Sequence, residues 1–254
     1  MLCIRLRVVR SLKMRKTGAY FFRSAMKRKN FFQYFSIFEW LMWGLSITAI
    51  VTVFCIFDKT NYLSLVASLL GATSLVFCAK GNPIGQVLMI IFSLLYGYIS
   101  FQVRYYGEML TYLGLTLPMA IIALISWLKN PYKGNRSEVK INRLRGKEIA
   151  LMFLLAAAVT VLFYFLLKLF GTANLIPSTL SVTTSFIAAY LTFRRSPFFA
   201  LAYAANDVVL LVLWILIAVN DLSTLSVVVC FAVFLVNDLY GFFNWLRMQK
   251  RQSA

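Results

Sequence analysis

The sequence predicts an all-α integral membrane protein of eight transmembrane helices, arranged 1+3+1+3, with two parallel three-helix repeats joined by a linker helix. Three observations carry this. Of 254 residues, 61% are hydrophobic and only 13% charged, whereas a soluble domain carries about 25% charged residues. The apolar residues fall into eight runs near the ~20 residues that a lipid-spanning helix needs. The Lys and Arg residues collect on alternate sides of those runs.

Taken in order, the spans read 37–57, 62–79, 83–103, 109–128, 149–170, 177–193, 198–218 and 223–246. Pro83, Pro177 and Pro197 stand at or just before starts, where a missing N–H does least harm. Pro118 falls inside the fourth span with Gly114 nearby, which predicts a kink or local unwinding there. Most connections are short, so consecutive helices are antiparallel neighbours; the exception is the basic loop from Lys129 to Glu148. The domain reading is a basic arm over 1–36, a membrane domain over 37–248 and a short tail over 249–254. Within the membrane domain, repeat one is 60–129, the linker helix 149–170 and repeat two 177–247.

The net charge of +18 invites a nucleic-acid partner, but its distribution argues against one. Ten of the 26 basic residues lie in the first thirty positions and seven more between Lys129 and Lys147. With eight spans, 23 basic residues fall on one side, and Lys59, Arg104 and Lys168 on the other. Such asymmetry places both termini in the cytoplasm. The arm over 1–36 fits an amphipathic anchor on anionic lipid. The blander reading is an over-extended start with Met14 or Met26 as initiator, and an Arg-rich mitochondrial presequence fits less well. Four dispersed cysteines and no histidine leave disulfide, metal and His-based catalytic chemistry without support. No metal, cofactor or enzymatic activity is expected.

An internal repeat sets the architecture. "LSLVAS" from Leu63 returns as "LSVTTS" from Leu180, an offset of 117, and "SWLKN" around Trp127 returns as "NWLRM" around Trp245, an offset of 118. Three helices per repeat is odd, so a linker span is needed to make the two bundles parallel. Parallel repeats of this kind occur in transporters, with the substrate site between the halves near mid-membrane.

The stretch from Gly81 to Leu110 resembles the PnuC family of vitamin transporters, through Ser93 to Gly97 (Ser-x-Leu-Tyr-Gly) and Tyr105 to Glu108 (Tyr-Tyr-Gly-Glu). The closing "NDLYGFFNWL" is similar to the family's Asn, Tyr-Gly and Trp, here Asn237, Tyr240, Gly241 and Trp245. The resemblance implies uptake of nicotinamide riboside by facilitated diffusion, trapped by phosphorylation inside the cell. It also implies a fold distantly similar to SWEET sugar transporters, a bacterial-type inner membrane and a homo-oligomer, in the family a trimer. Relatives of similar sequence carry thiamine, riboflavin or deoxynucleosides, and a proton-coupled carrier using Asp207 is the alternative mechanism. Many members carry Trp-x-x-Trp four residues before an Asp or Asn in the seventh span. Aligned to Asp207, those positions are Ala200 and Tyr203, with Phe199 adjacent.

Asp207 lies nine residues into the seventh span, roughly 14 Å at 1.5 Å per residue. A carboxylate at mid-membrane belongs in a cavity or against a partner. Tyr203 stands at i−4 on the same face, and a ring beneath a carboxylate suits a flat cation. The competing reading has Asp207 bonding across helices to hold the bundle together. The expected substrate-binding residues are Tyr203, Asp207, Asn206, Asn237, Gln86, Ser93, Phe199 and Tyr96, with Tyr105, Glu108 and Tyr240 as gate residues. Asn237 rather than Asp238 is expected to face the cavity, with Asp238 turned to Arg247 or water. At an offset of 117, Gln86 maps onto Tyr203. Asn82 reads as a helix cap, Glu108 alternatively as a helix-start acid, and Trp127 and Trp245 as interfacial anchors.

Overall fold

The computed structural model describes residues 34–102, 106–172, 174–219 and 222–254. Nearly all of the basic arm, and Tyr105, lie outside the described residues. The chain divides into two units, Met1–Leu41 and Met42–Ala254. In the first, Ser36 Oγ accepts from the Glu39 N–H at 3.2 Å, and Glu39 Oε2 accepts from the Ser36 N–H at 2.6 Å. This reciprocal capping box satisfies two donors that a helix start leaves open, and it begins α1, Ile37–Val53.

The remaining helices are α2 Tyr62–Ala79, α3 Ile84–Gln102, α4 Tyr106–Lys129, α5 Gly146–Leu169, α6 Leu175–Phe193, α7 Phe198–Ala218 and α8 Leu225–Ser253. Among the described residues, eight helices are long and apolar enough to cross a membrane. The unwinding expected near Pro118 takes the form of a π-helical turn over Thr111–Thr116, in which the Leu117 N–H reaches Tyr112 O, five residues back. Proline has no N–H to offer the preceding turn, and widening that turn absorbs the defect. A second π turn, Phe54–Asp58, follows α1.

Six helices close into a ring, α2 on α3, α3 on α4, α4 on α6, α6 on α7, α7 on α8, and α8 back on α2. The two repeats are α2–α4 and α6–α8, meeting along an α4/α6 seam and an α8/α2 seam. The linker α5 packs on α6 and turns Leu154, Phe165 and other large apolar side chains outward, as lipid requires.

Each repeat makes the same turn between its first two helices. After α2, Gly81 (φ 65°) donates to Cys78 O, Asn82 N–H donates to Phe77 O, and Pro83 precedes α3. After α6, Arg195 (φ 56°) donates to Thr192 O, Ser196 N–H to Leu191 O, and Pro197 precedes α7. These are left-handed helix caps of one design. They fix the local offset at 114 (Gly81 to Arg195, Pro83 to Pro197), not the 117 read from "LSLVAS". The sequence match had slipped by about one helical turn.

The basic loop is built rather than loose. Strands β1, Pro131–Tyr132, and β2, Asn135–Val139, form a hairpin around Lys133 and Gly134, both at positive φ. Val139 N–H donates to Gly81 O and Asn142 N–H to Arg195 O, both at 3.0 Å, so the loop ties down both repeat turns. The end of α8 joins it. Gln252 Oε1 accepts from Ile141 N–H at 2.8 Å, and Arg251 pairs with Glu138. This docking explains why α8 runs helical to Ser253, well past the expected 246.

Within repeat one, α2 and α3 approach closely at Gly85, where Ser74 Oγ donates to Gly85 O at 2.8 Å. A Cβ at Gly85 would stand 2.8 Å from Cys78 N and 2.9 Å from Ser74 O. Backbone cannot rotate aside, so Gly85→Ala should cost about 1–3 kcal/mol as overpacking. The expected outcome is a lower melting temperature in detergent. Gly44→Ala, with nothing within 4 Å of its Cβ, should not lower melting.

Candidate functional site

The ring is closed at its basic end by two equivalent latches. Along the α4/α6 seam, Ser126 Oγ donates to Phe193 O at 2.8 Å and Trp127 Nε1 to Thr192 O at 2.9 Å. Along the α8/α2 seam, Asn244 Nδ2 donates to Ala79 O at 2.8 Å and Trp245 Nε1 to Cys78 O at 2.9 Å. Each pair caps the last two carbonyls of the facing helix, and each comes from the "SWLKN"/"NWLRM" repeat. The indoles meet at 5.5 Å between centroids, with Phe199 at 4.8 Å from Trp245 and 6.4 Å from Trp127. Trp127 and Trp245 are 1% and 0% exposed. They are therefore inner seals, not the interfacial anchors expected: their N–H groups find carbonyls inside the bundle and need no headgroup water.

Beyond this seal lies a cavity of about 90 Å³, lined by residues of all helices from α2 to α8, with α5 contributing Leu167 alone. It extends toward the end opposite the basic loop, where Gly107, Glu108 and Thr172 line it. Three acidic side chains, Glu108, Asp207 and Asp238, face it, and no Lys or Arg is among its lining residues. The Asp207 and Asp238 carboxyl groups lie within hydrogen-bonding reach of each other. Asp207 is 3% exposed, and its Oδ2 has no hydrogen-bond partner. A buried, unsatisfied carboxyl oxygen is costly unless something that visits the site completes it. Aromatic walls are supplied by Phe92, Tyr112, Tyr203, Phe231 and Phe234, and hydroxyls by Thr111, Ser178, Ser181 and Ser185. The cavity suits a flat, positively charged group with hydrogen-bonding substituents. It is smaller than the ~300 Å³ of ordinary ligand pockets, so a nucleoside-sized guest requires the helices to part.

Of the residues expected from sequence, Tyr203, Asn206, Asp207 and Glu108 line this cavity. Asn206 spends its oxygen across the α6/α7 contact, accepting from Thr184 Oγ1 at 2.7 Å, Ser185 Oγ at 3.1 Å and Ser181 Oγ at 3.4 Å. Asn237 and Asp238 exchange the roles expected of them. Asn237 Nδ2 donates to Ser46 Oγ on α1 and to Val233 O, while Asp238 turns into the cavity. Gln86 and Ser93 are buried outside the lining, Gln86 donating to Cys78 Sγ at 3.3 Å and Ser93 to Met89 O at 2.8 Å. The offset of 114 explains Gln86: it places Ala200, not Tyr203, opposite Gln86, and Met89 opposite Tyr203. Met89 and Tyr203 both line the cavity. Phe199 belongs to the indole seal, Tyr96 packs on Tyr112 at 4.5 Å, and Tyr240 is half-buried on α8 away from the lining. Sequence reading missed Asp238, Tyr112 and the Ser178–Ser181–Ser185 face, whose i, i+3, i+7 spacing was there to be read.

The profile of the family described as nicotinamide mononucleotide transporter matches residues 61–247. The chain belongs to that family. Among curated members, it is 26% identical over 219 residues to the nicotinamide riboside transporter PnuC of Neisseria mucosa, covering 85% of this chain and 82% of that one. It is 23% identical over 194 residues to the nicotinamide riboside transporter PnuC of Haemophilus influenzae, covering 76% of this chain and 83% of that one. Its fold superposes on a crystal structure of the vitamin B3 transporter PnuC with a TM-score of 0.74, at 23% identity, covering 86% of this chain and 94% of that one. This member of the family is thus a multi-pass membrane transporter and not an enzyme, as the sequence expectation had it.

Proposed function

We propose that this transporter takes up a nicotinamide riboside-like vitamin by facilitated diffusion, with phosphorylation in the cell trapping the product. The observation that carries this is the cavity's charge: three carboxyl side chains and no basic one among the lining residues. A pyridinium ring gains from such a site by charge compensation and by stacking on Tyr203 and its aromatic neighbours. A phosphate would meet like charge there with no Arg or Lys to receive it. The chemistry therefore favours the riboside over the mononucleotide of the family's description. Thiamine, also a cation, is the next best fit; riboflavin and deoxynucleosides lack the charge.

The experiment is a binding panel on the purified protein: nicotinamide riboside, nicotinamide mononucleotide, thiamine, riboflavin and deoxynucleosides, read by thermal shift. The riboside is expected to stabilise most and the mononucleotide little. Preference for a neutral nucleoside overturns the assignment. The Asp207–Asp238 contact favours a second reading, proton-coupled carriage. Equal accumulation in proteoliposomes with and without a pH gradient removes it. The site works in an inner membrane with both termini cytoplasmic, in a homo-oligomer, a trimer by family resemblance. Terminal reporter fusions and mass measurement in detergent check these assignments.

A further inference from the structure

A second hollow, of about 600 Å³, lies between α5, α6 and α7, outside the substrate cavity and sharing none of its lining residues. Its walls are apolar, with Phe153 from α5, Ile187 from α6 and Leu201 and Ala205 from α7. Phe153 and Ala205 each lie seven residues from the basic-side start of their helix, a depth of roughly 10 Å at 1.5 Å per residue. That depth falls within one leaflet of a hydrocarbon core about 30 Å thick. The mouth is polar, formed by Asn142, Arg143 and Gln249 at the level of the docked loop.

Charge at the mouth is unbalanced. Arg143, Arg145 and Lys147 are exposed, and none has an ion-pair partner among the described residues. The two nearest carboxylates in sequence are both taken, Glu148 by Arg194 at 2.6 Å and Glu138 by Arg251. An apolar cleft one leaflet deep, opening under free guanidinium groups, has the two-part chemistry of a single kind of molecule. We propose that the cleft binds an anionic glycerophospholipid from the leaflet on the basic side, its phosphate at Arg143 and an acyl chain between α5 and α7. The guanidinium fork matches phosphate oxygens in pairs, and basic pockets between membrane helices hold acidic headgroups in this way. The cleft face of α7, Ala202 and Ala205, backs directly onto Tyr203, Asn206 and Asp207 of the substrate cavity. A lipid seated here braces the helix that carries the substrate's counter-charge.

The test uses the full chain in a neutral detergent, titrated with dioleoyl phosphatidylglycerol, dioleoyl phosphatidylcholine or inorganic phosphate, and read by native mass spectrometry and thermal unfolding. Phosphatidylglycerol should be retained one per chain and raise the melting temperature; the other two should do neither. Arg143→Gln, at an exposed position, should weaken phosphatidylglycerol about fivefold. Leu201→Trp, which fills the cleft from a lipid-facing site, should remove the adduct. Equal retention of phosphatidylcholine, stabilisation by phosphate alone, or undiminished phosphatidylglycerol binding in both variants overturns the proposal. So does loss of an oligomer in Leu201→Trp with lipid retention intact, which would place a second copy in the cleft. None of these readouts depends on which vitamin is carried.

Discussion

Replacing Asp207 and Asp238 together with asparagine is expected to weaken binding of a cationic riboside by about a hundredfold, while a neutral analogue of the same shape is unaffected. The two carboxyl groups are neighbours inside the ring, and no basic side chain lines the cavity to compensate them. A bound pyridinium supplies that compensation. Asparagine keeps the volume and most hydrogen bonds but removes the charge, so the change isolates the electrostatic part of recognition. Asp207→Asn alone should cost only about tenfold, because Asp238 and Glu108 remain in the lining. The reduced dihydropyridine riboside serves as the neutral probe. Equal weakening of both ligands in the double variant means that the carboxyl groups shape the site and do not pair with the substrate's charge. Calorimetric titration distinguishes these outcomes, and uptake into vesicles should follow the same order.

Which residues were legible from sequence follows from the physics each signal reports. Span number and order came from hydropathy, a property of whole segments, and the eight helices fall within a few residues of where they were expected, except at the end of α8, which runs on to Ser253. The Pro118 defect was legible because proline removes a donor whatever surrounds it, although only coordinates show a π turn. Asp207 and Tyr203 were legible because an acid deep in an apolar run must face something polar. Facing direction was the harder question. Asn237 and Asp238 are about 100° apart on one helix, and choosing between them requires knowing that Ser46 of α1 stands beside Asn237. Gln86 was misplaced by a similarity match one turn out of phase, which the paired caps at Gly81 and Arg195 correct. The hairpin's docking rests on backbone bonds from Val139 and Asn142, and backbone groups are identical in every sequence.

The latch residues carry the second large effect. Trp245→Ala should destabilise the protein by about 3–5 kcal/mol, the range for emptying a buried tryptophan site. Trp245→Phe is more informative, since it retains most of the packing against Trp127 and Phe199 and deletes the N–H that caps Cys78 O. Cys78 O keeps the Gly81 N–H at 2.9 Å, so the variant loses one hydrogen bond, about 0.5–1.5 kcal/mol, and that cost falls on the closed basic end alone. If the seam is a gate, the variant opens it more often, and the chain has its own reporter. Cys78 carries a free, buried thiol at that seam. Its modification by a maleimide, followed on the Cys78 peptide by mass spectrometry, should quicken about twofold to tenfold in Trp245→Phe, tracking the lowered cost of local opening. Trp127→Phe breaks the equivalent bond to Thr192 O across the other seam. If the two repeats part as halves of one ring, it should quicken Cys78 modification as well, although Cys78 lies on the opposite seam. Quickening by Trp245→Phe alone would mean that the seams open independently. No quickening by either would make the indoles packing elements of a fixed floor, with the path to the basic side elsewhere.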